Sequence, residues 1–398
     1  MLILVSLIAV CNIFYNFTPQ ENIEEKIAVL KKVVTEIDND DFSFLDEILQ
    51  DKRIVMLGEQ IHSDGTTFEL KSQIIKYLHE NHGYNVVLYE AGLYDMWYMD
   101  SQDTINPQRG LYGFWWNNDE CRSIWDYYRA TKQSKNPIVL GGFDVQLTGQ
   151  ISDSIRKELI ENHLSKNNID ISNFSAFVSV VGRLSNNWLW EYWKYNKILE
   201  TSHDSIQTDL SLILSELEKN KKNYIDEIYY RYLSGVKAYN ELRWDYDPGE
   251  LPRMNIRDSL MADNLIWLAD EVYKDEKIIV WAANLHIYNN DYKTFKPMGA
   301  YIKEKFKDET YSMVFTSYAR KKRDGHLYNA ASNKSVEYLL HKNNNKFSYI
   351  DMKNIPENSF LNEDFISTVD QTMNIKYHWK KQFDCLFYID AISSLGEK

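Results

Sequence analysis

Several apolar stretches of this 398-residue sequence end in side chains that can take part in acid–base chemistry. The stretch IVML (54–57) is followed by Gly58 and Glu59, and His62 comes three positions later. The same feature recurs after NVVLY, PIVLGGF and IIVWAANLH, which end in Glu90, in Asp144, and in Asn284 and His286. Imidazole and carboxylate groups are the usual proton-transfer groups of enzymes. Several of them at strand ends predict a site, provided that the fold brings the ends together.

The elements that carry these residues alternate along the chain. Short apolar runs are separated by helical patterns, which is typical of βαβ units and a largely parallel sheet. The helix after IVML has a T-x-x-E capping box at Thr66 and Glu69, followed by apolar residues at helical spacing. Because ligands of open parallel sheets bind outside the carboxyl ends of the strands, we expect the strand-end residues to share one crevice.

Two cationic residues are candidates for the same crevice. Arg257 shares a helix face with Met261, Asn264, Leu265 and Leu268, and a guanidinium on an apolar stripe needs a partner or a wet cavity. Lys71 lies in the first turn of the helix after His62, where an anion also meets free backbone N–H groups. We predict that four residues contact the substrate, namely Lys71, Asp144, Arg257 and Asn284.

Each of these residues also has a purely structural interpretation. Glu59 and His62 can form a hydrogen-bond network at a helix entry, and Glu90 can cap a strand. Asp144 can accept hydrogen bonds from loop amides, Arg257 can extend along the start of its helix, and His286 can be an ordinary buried histidine. The aromatic cluster YGFWW (112–116) can line a cleft or belong to the core.

The pattern predicts an α/β fold, with a mainly parallel sheet flanked by helices in three layers. Residues 21–150 form the first part of this core, with an amphipathic helix and a connector at 22–50 and a helical stretch over 94–130. A helical insertion subdomain follows over 151–250, with a hairpin turn at KNKKN (219–223). Residues 251–345 return to the sheet, beginning with a helix over 255–273. Residues 346–398 form a small α+β C-terminal part whose strands pack on the core.

Composition and the N-terminus restrict the location and the partners. The net charge of −13 leaves no basic face for phosphates, so nucleic-acid binding is not expected. Residues 1–20 are apolar and uncharged, and they predict an export signal or an anchor, with a lipid-anchored Cys11 as one form. The alternative is a buried N-terminal helix or strand. Cys121 and Cys385 lack metal-ligand spacing, and we expect them to be buried free thiols.

Five motifs in order resemble the erythromycin esterase family. They are LGEQIH with the following FELKSQIIKYLHENHGYNVVLYEAG, then GGFDVQ, the R-D-x-x-M-A-x-N helix (257–264), WAANLH, and MGAYIKEKF (298–306). The resemblance covers most of residues 45–320. It implies hydrolysis of a small-molecule ester or lactone in a deep cleft beside a helical subdomain, without a metal or another cofactor.

The resemblance also implies roles for four catalytic residues. His62 is the general base that takes a proton from water, and Glu59 or Glu90 orients the imidazole and stabilises its charge. His286, together with Arg257, faces the developing oxyanion.

Three positions depart from the family pattern. His62 is followed by Ser63, Asp64 and Gly65, where many members have His-Gly. Lys71 replaces an arginine of the resistance esterases, and Ala283 replaces a second histidine. These changes concern the substrate more than the reaction, because family membership does not name a substrate.

Two other functions use the same residues. The His and Glu set can hold a metal or haem in a haem- or metal-binding protein of the cell envelope, tethered through the N-terminus, since both residue types ligate metals well. A degenerate member can serve as a scaffold, although the retention of all four ionisable residues argues against it. No G-x-S-x-G, Walker or G-x-G-x-x-G motif is present, so the sequence supports neither a serine nucleophile nor a nucleotide.

Overall fold

The computed structural model describes residues 23–37, 41–101, 106–181, 203–245 and 251–396. The predicted signal or anchor segment (1–20), with Cys11, lies outside these residues and stays a prediction. No helix in the described ranges is long and apolar enough to cross a membrane. Cys121 and Cys385 are both buried free thiols, as expected.

A nine-stranded, mainly parallel sheet forms the centre of the fold. In chain order the strands are β1 (Val34–Glu36), β2 (Ile54–Leu57), β3 (Val86–Gly92), β4 (Val139–Asp144), β5 (Ile278–Trp281), β6 (Thr310–Lys321), β7 (Leu327–Tyr328), β8 (Phe347–Asp351), β9 (Phe365–Ser367), β10 (Ile375–Tyr377) and β11 (Cys385–Ser393). The neighbours β11-β6-β2-β5-β3-β4 all run parallel, whereas β8, β1 and β7 are added antiparallel. Strands β9 and β10 pair separately. The predicted α/β class with a mainly parallel sheet is confirmed.

Helices cover both faces of this sheet. They are α1 (Ile23–Leu30), α2 (Leu45–Ile48), α3 (Gly65–His82), α4 (Leu93–Ser101), α5 (Arg122–Thr131), α6 (Asp153–Lys166), α7 (Ser175–Val181), α8 (His203–Asn220), α9 (Tyr224–Asp245), α10 (Leu251–Trp267), α11 (Met298–Phe306) and α12 (Val336–Lys342). A π-helical turn, Leu268–Val272, continues α10. Helices α3 and α5 pack on one face and α10 to α12 on the other, so the layers are helix, sheet and helix.

The strand sequences explain this arrangement. In β2, Ile54 and Met56 belong to one core and Val55 and Leu57 to the other, because successive side chains of a strand point to opposite faces. All four are fully buried. A strand covered on both faces is apolar throughout, which is why a polar residue can first appear where it ends.

Several predicted elements differ in detail from those observed. The helical stretch over 94–130 is interrupted, since α4 ends at Ser101 and α5 begins at Arg122, with 3₁₀ turns at Pro107–Gly110 and Gly113–Trp115 between them. Proline and glycine disfavour a continuous helix there. The connector within 22–50 contains a short strand, β1, which pairs with β8. The segment IIVWAANLH leaves the sheet at Trp281 and continues as a 3₁₀ turn, Asn284–Ile287.

The predicted capping box of α3 is wrong. The helix begins two residues earlier than the box predicts, and its N-cap is Asp64, whose side chain accepts a hydrogen bond from Thr67 N at 2.9 Å. The Thr66 hydroxyl accepts instead from Ser393 N, also at 2.9 Å. An aspartate at the N-cap does the same work as a threonine and also complements the positive end of the helix dipole.

Two of the C-terminal strands, β8 and β11, belong to the central sheet, where β11 lies between β6 and β8, whereas β9 and β10 form their own two-stranded sheet. The helical insertion contains α6 to α9 in its described parts. The turn at 221–223 between α8 and α9 falls within the predicted KNKKN segment. Apolar residues of this hairpin join the core on the α10 side, although Ile225 from the predicted pattern is exposed.

A buried ion pair connects the helical insertion to the edge of the sheet. Arg156 on α6 donates from Nη1 to Oδ1 of Asp95 on α4 at 2.6 Å, and neither side chain has exposed surface. The other carboxylate oxygen of Asp95 accepts from Thr148 N and Gly149 N. Breaking such a pair leaves a charge buried without its partner.

We expect the substitution Arg156→Met to lower the free energy of unfolding by about 3–5 kcal/mol, because Asp95 then stays buried without its cation. Urea denaturation measures this difference. The matched control is Arg129→Met, which removes an exposed pair with Asp126 and should cost less than about 1 kcal/mol. Equal effects of the two substitutions would contradict the assignment.

Candidate active site

The strand-end residues meet at one cavity of about 490 Å³ at the carboxyl edge of the sheet. Its wall includes all four predicted catalytic residues, Glu59, His62, Glu90 and His286, and also Arg257 and Asn284. The parallel order β2-β5-β3-β4 explains this convergence, since the carboxyl ends of neighbouring parallel strands lie side by side. The structure thus brings these strand-end residues together at one cavity, as the sequence pattern predicted.

Glu59 and His62 form a close pair. His62 Nδ1 lies 2.9 Å from Glu59 Oε1, which also accepts a hydrogen bond from Trp115 Nε1 at 3.2 Å. Glu59 is fully buried, whereas the His62 side chain is 42% exposed. Burial disfavours the imidazolium, but the hydrogen bond to Glu59 and the charges of Glu90 and Glu59 outweigh it and raise the pKa of His62 above 6.5. The hydrogen bond to Glu59 therefore fixes the imidazole of His62, and the exposed part of its ring reaches the cavity.

Lys71 lies behind this pair. Its Nζ donates to Glu59 Oε2 at 2.6 Å, and the ammonium lies 4.2 Å from the centre of the Trp281 ring. Burial lowers the pKa of Lys71 to about 8, although Glu59 acts in the opposite direction. The predicted substrate contact of Lys71 is therefore wrong: its side chain is fully buried and does not line the cavity, because its charge needs Glu59.

Rings and a neighbouring chain segment hold the loop that carries His62. The imidazole stacks on Phe114 with ring centres 5.0 Å apart, and Trp115 meets it edge-on. Leu395 N donates to Ser63 O at 3.1 Å, and the backbones of Asp64 and Ser394 form an isolated antiparallel β-bridge. The C-terminal segment thus fixes the residues directly after His62. The aromatic cluster at 112–116 is divided between the core, through Trp115, and the site, through Phe114.

Arg257 joins Glu90 to Asp144. Its Nη2 donates to Glu90 Oε1 at 2.7 Å, and its Nε donates to Asp144 Oδ1 at 3.2 Å. Asp144 is fully buried, does not line the cavity, and also accepts from Gln146 N. Its predicted substrate contact is therefore wrong, and its role is to position Arg257. Burial opposes the charge of Glu90, but His286 and Arg257 hold its pKa well below the usual range.

His286 lies between two carboxylates. Its Nδ1 is 2.8 Å from Asp258 Oδ1, and its Nε2 is 3.2 Å from Glu90 Oε1. Burial opposes the charge of His286, but Asp258 and Glu90 outweigh it and raise its pKa to about 10. Both ring nitrogens then donate, so the imidazolium adds a second cation at 3.3 Å from Arg257 Nη1. Glu90 therefore pairs with His286 and Arg257, whereas Glu59 is the partner of His62.

Asn284 lines the cavity but uses its side chain for support. Its Nδ2 donates to Phe315 O at 2.7 Å and to Val369 O at 2.8 Å, and its Oδ1 accepts from Phe315 N. No residue with a side chain larger than glycine's fits at position 58, because a Cβ there would lie 2.0 Å from Asn284 Oδ1. Its side chain thus links β6 to the loop between β9 and β10, and the substrate contact of Asn284 stays a prediction.

Sequence reasoning missed two carboxylates of the site. Asp258 follows Arg257 in the R-D-x-x-M-A-x-N motif, and that adjacency was its one signal. Asp370 lies in the loop between β9 and β10, which carries no strand-end pattern, and it lines the cavity. In the part of the chain that the structure describes, no three His, Cys, Asp or Glu residues are placed to hold a metal ion. The donor geometry therefore gives no support to the metal-binding alternative.

Comparison with known proteins places this site in a family. The sequence profile of the erythromycin esterase family matches residues 79–392, which is most of the chain. The chain belongs to the erythromycin esterase family. The match begins after Glu59 and His62, so the roles of these two residues depend on the geometry described above.

Two curated relatives and a solved structure agree with this family. The Bacillus subtilis protein named "Putative hydrolase YbfO" is 29% identical over 75% of this chain and 71% of its own length. Erythromycin esterase type II of Escherichia coli is 22% identical over 90% of this chain and 94% of its own. A crystal structure of a mutant of the erythromycin esterase EreC in its open conformation matches with a TM-score of 0.65 and 16% identity, covering 91% of this chain and 96% of that one.

The two histidines should titrate in different pH ranges. We expect histidine-selective NMR to show His286 charged until the pH approaches about 10, and the substitution Asp258→Asn to lower its midpoint by removing a carboxylate. The matched control is Asp263→Asn on the same helix, whose carboxylate is exposed and pairs with Arg231. A wild-type His286 that titrates at the ordinary histidine value would contradict the ion-pair network.

Proposed function

We propose that this member of a hydrolase family cleaves a carboxylic ester or lactone with a water molecule activated by His62, without a metal ion. The observation that supports this proposal most strongly is the 2.9 Å contact between His62 Nδ1 and Glu59 at the wall of the cavity. In the described residues, His62 Nε2 has no hydrogen-bond partner. One nitrogen is therefore fixed by a carboxylate, and the other is available to a water molecule.

The proton transfers follow from this contact. In neutral His62, Nδ1–H donates to Glu59, so the lone pair of Nε2 takes a proton from water as the water oxygen attacks the carbonyl carbon. The carboxylate of Glu59 then stabilises the imidazolium through Oε1, while Lys71 Nζ donates to its other oxygen, Oε2, at 2.6 Å. When the tetrahedral intermediate collapses, the same Nε2–H gives its proton to the leaving alkoxide oxygen.

Two cations on the cavity wall can stabilise the developing oxyanion. Arg257 and the imidazolium of His286 are held 3.3 Å apart by the three carboxylates around them, so they need little reorganisation during the reaction. The carboxylates, Glu90, Asp144 and Asp258, also prevent the two cations from repelling each other out of the site.

We expect His62→Ala to lower kcat/KM by about 10²- to 10⁴-fold on any ester that the wild-type protein hydrolyses, because the general base is lost. The matched control is His326→Ala, which changes an exposed histidine and should leave the rate unchanged. Circular dichroism verifies that both variants are folded. Full activity of folded His62→Ala protein would refute the proposed base.

The substrate panel should include simple esters, lactones and erythromycin, since the Escherichia coli relative is an erythromycin esterase by name. The panel is wide because Lys71 and Ala283 differ from the residues of the family pattern, and these differences concern the substrate more than the reaction. Activity that survives dialysis against EDTA supports the metal-independent mechanism, and activity restored only by an added divalent ion would contradict it.

The pH dependence should report on His62. The base works only when it is neutral, and its pKa is raised, so the acid limb of kcat/KM should have its midpoint above pH 6.5. The substitution Glu59→Gln removes the carboxylate that raises this pKa. We therefore expect the limb to move to lower pH while the plateau falls, because the imidazole loses its orientation. A limb that stays in place in Glu59→Gln would mean that another group controls the rate.

A further inference from the structure

The loop between β9 and β10 forms one wall of the active-site cavity. Val369, Asp370 and Gln371 all line it. The loop is held from both sides, since Gln60 Nε2 donates to Thr368 O at 2.6 Å and Asn284 Nδ2 donates to Val369 O at 2.8 Å. The wall therefore has a fixed position relative to Glu59, because Gln60 follows Glu59 directly in the chain.

The backbone of this loop adopts an uncommon conformation. Gln371 has a φ of 49° and Thr372 a φ of 62°, which place two successive non-glycine residues in the left-handed region. This region is unfavourable for L-residues, and most of all for a β-branched residue such as threonine. Such conformations persist where the surrounding structure enforces them, and they cluster at ligand sites. Here they directly follow Asp370.

Asp370 differs from the other carboxylates of the site. Glu59, Glu90 and Asp144 each make an ion pair with a lysine or arginine. Asp370 is only 6% exposed, yet in the described residues its side chain has one hydrogen-bond donor, the neutral Tyr292 hydroxyl, at 2.9 Å from Oδ2. Burial raises the pKa of Asp370, while the exposed Lys293 nearby acts in the opposite direction. Among the residues that the structure describes, no donor lies within hydrogen-bond distance of its Oδ1.

We propose that Asp370 determines specificity by accepting a hydrogen bond from a donor group on the substrate, a hydroxyl or an ammonium, away from the ester bond. This proposal rests on the proposed hydrolase function and names the class of substrate: esters or lactones that carry such a donor. A carboxylate that is buried without a charged partner loses stability, and a substrate donor supplies the missing partner. A substrate that lacks the donor displaces water from Oδ1 of Asp370 without replacing its hydrogen bond, and it is disfavoured for that reason.

The test compares three esters that are identical except at one position away from the ester bond, which carries a hydroxyl, an ammonium or a methyl group. The readout is the ratio of kcat/KM for each donor ester to that for the methyl ester. We expect Asp370→Ala to lower this ratio about 10- to 100-fold, the range for a hydrogen bond to a charged group. Asp370→Asn keeps an acceptor oxygen, so it should preserve the ratio for a hydroxyl ester and lower it for an ammonium ester. The Asp370→Asn variant therefore distinguishes a hydroxyl donor from an ammonium donor.

The matched control is Asp291→Ala, which removes an exposed carboxylate close in sequence to Tyr292 and should leave the ratio unchanged. An unchanged ratio in Asp370→Ala would overturn the proposal, even if His62→Ala abolishes turnover as expected. Conversely, turnover that survives in His62→Ala would overturn the proposed function alone.

Binding provides a second readout that does not need turnover. Isothermal calorimetry with the His62→Ala protein measures the affinity for the same three esters. We expect tighter binding of a donor ester than of the methyl ester, and loss of this preference in the double variant His62→Ala/Asp370→Ala. Equal affinities for all three esters in the His62→Ala protein would overturn the role of Asp370.

Discussion

The site depends on the neutralisation of negative charge at the carboxyl edge of the sheet. Glu59, Glu90, Asp144 and Asp258 are all buried there, and a buried carboxylate without a partner costs several kcal/mol, on the order of 3–5 kcal/mol when a pair is broken. Three cations from different parts of the chain pair with these four carboxylates, and Arg257 pairs with both Glu90 and Asp144. Lys71 comes from α3, Arg257 from α10 and His286 from the turn after β5. The positions of these cations are therefore set by the carboxylates, before any substrate binds.

This arrangement gives the two histidines different chemistry. His62 has one carboxylate at hydrogen-bond distance and a partly exposed ring, so its free nitrogen can exchange a proton with a water molecule in the cavity. His286 is buried between two carboxylates and stays charged. Environments that push the pKa values of similar groups apart separate their roles in a mechanism. A base that must lose its charge and a cation that must keep it are what ester hydrolysis by activated water requires.

The strand-end pattern predicted the site because it depends on few assumptions. A strand that is buried on both faces is apolar up to its end, and the carboxyl ends of parallel strands are neighbours, so Glu59, Glu90 and His286 could be placed together from the sequence. The partners were not predictable in the same way. Lys71 was predicted to meet an anion near the start of a helix, but it lies in the second turn of α3, and the anion that it contacts is Glu59. Contacts between side chains on different elements depend on three-dimensional packing, which no periodicity encodes.

The loop at Asp370 shows the same limit more clearly. It belongs to neither a strand end nor a helix face, and its position depends on hydrogen bonds from Gln60 and Asn284, which are more than 80 residues away in the sequence. The break between α4 and α5 was, by contrast, visible in Pro107, Gly110 and Gly113 and was underestimated. Local signals thus locate elements, and distant hydrogen bonds decide which loops reach the site.

The departures from the family pattern change the shape of the cavity more than its proton transfers. Ala283 lines the cavity where many members carry a histidine, and a methyl group fills less of that space than an imidazole. Its backbone N–H still donates to Glu90 Oε2 at 2.9 Å, so Glu90 keeps its orientation toward Arg257 and His286 without a side chain at this position. Lys71 contacts only Oε2 of Glu59, whereas an arginine can donate two parallel hydrogen bonds to a carboxylate. The other oxygen, Oε1, is in contact with His62. Next to these two residues His62 still contacts Glu59 and Arg257 still pairs with Glu90, so the departures concern the wall of the cavity more than the groups of the proposed mechanism.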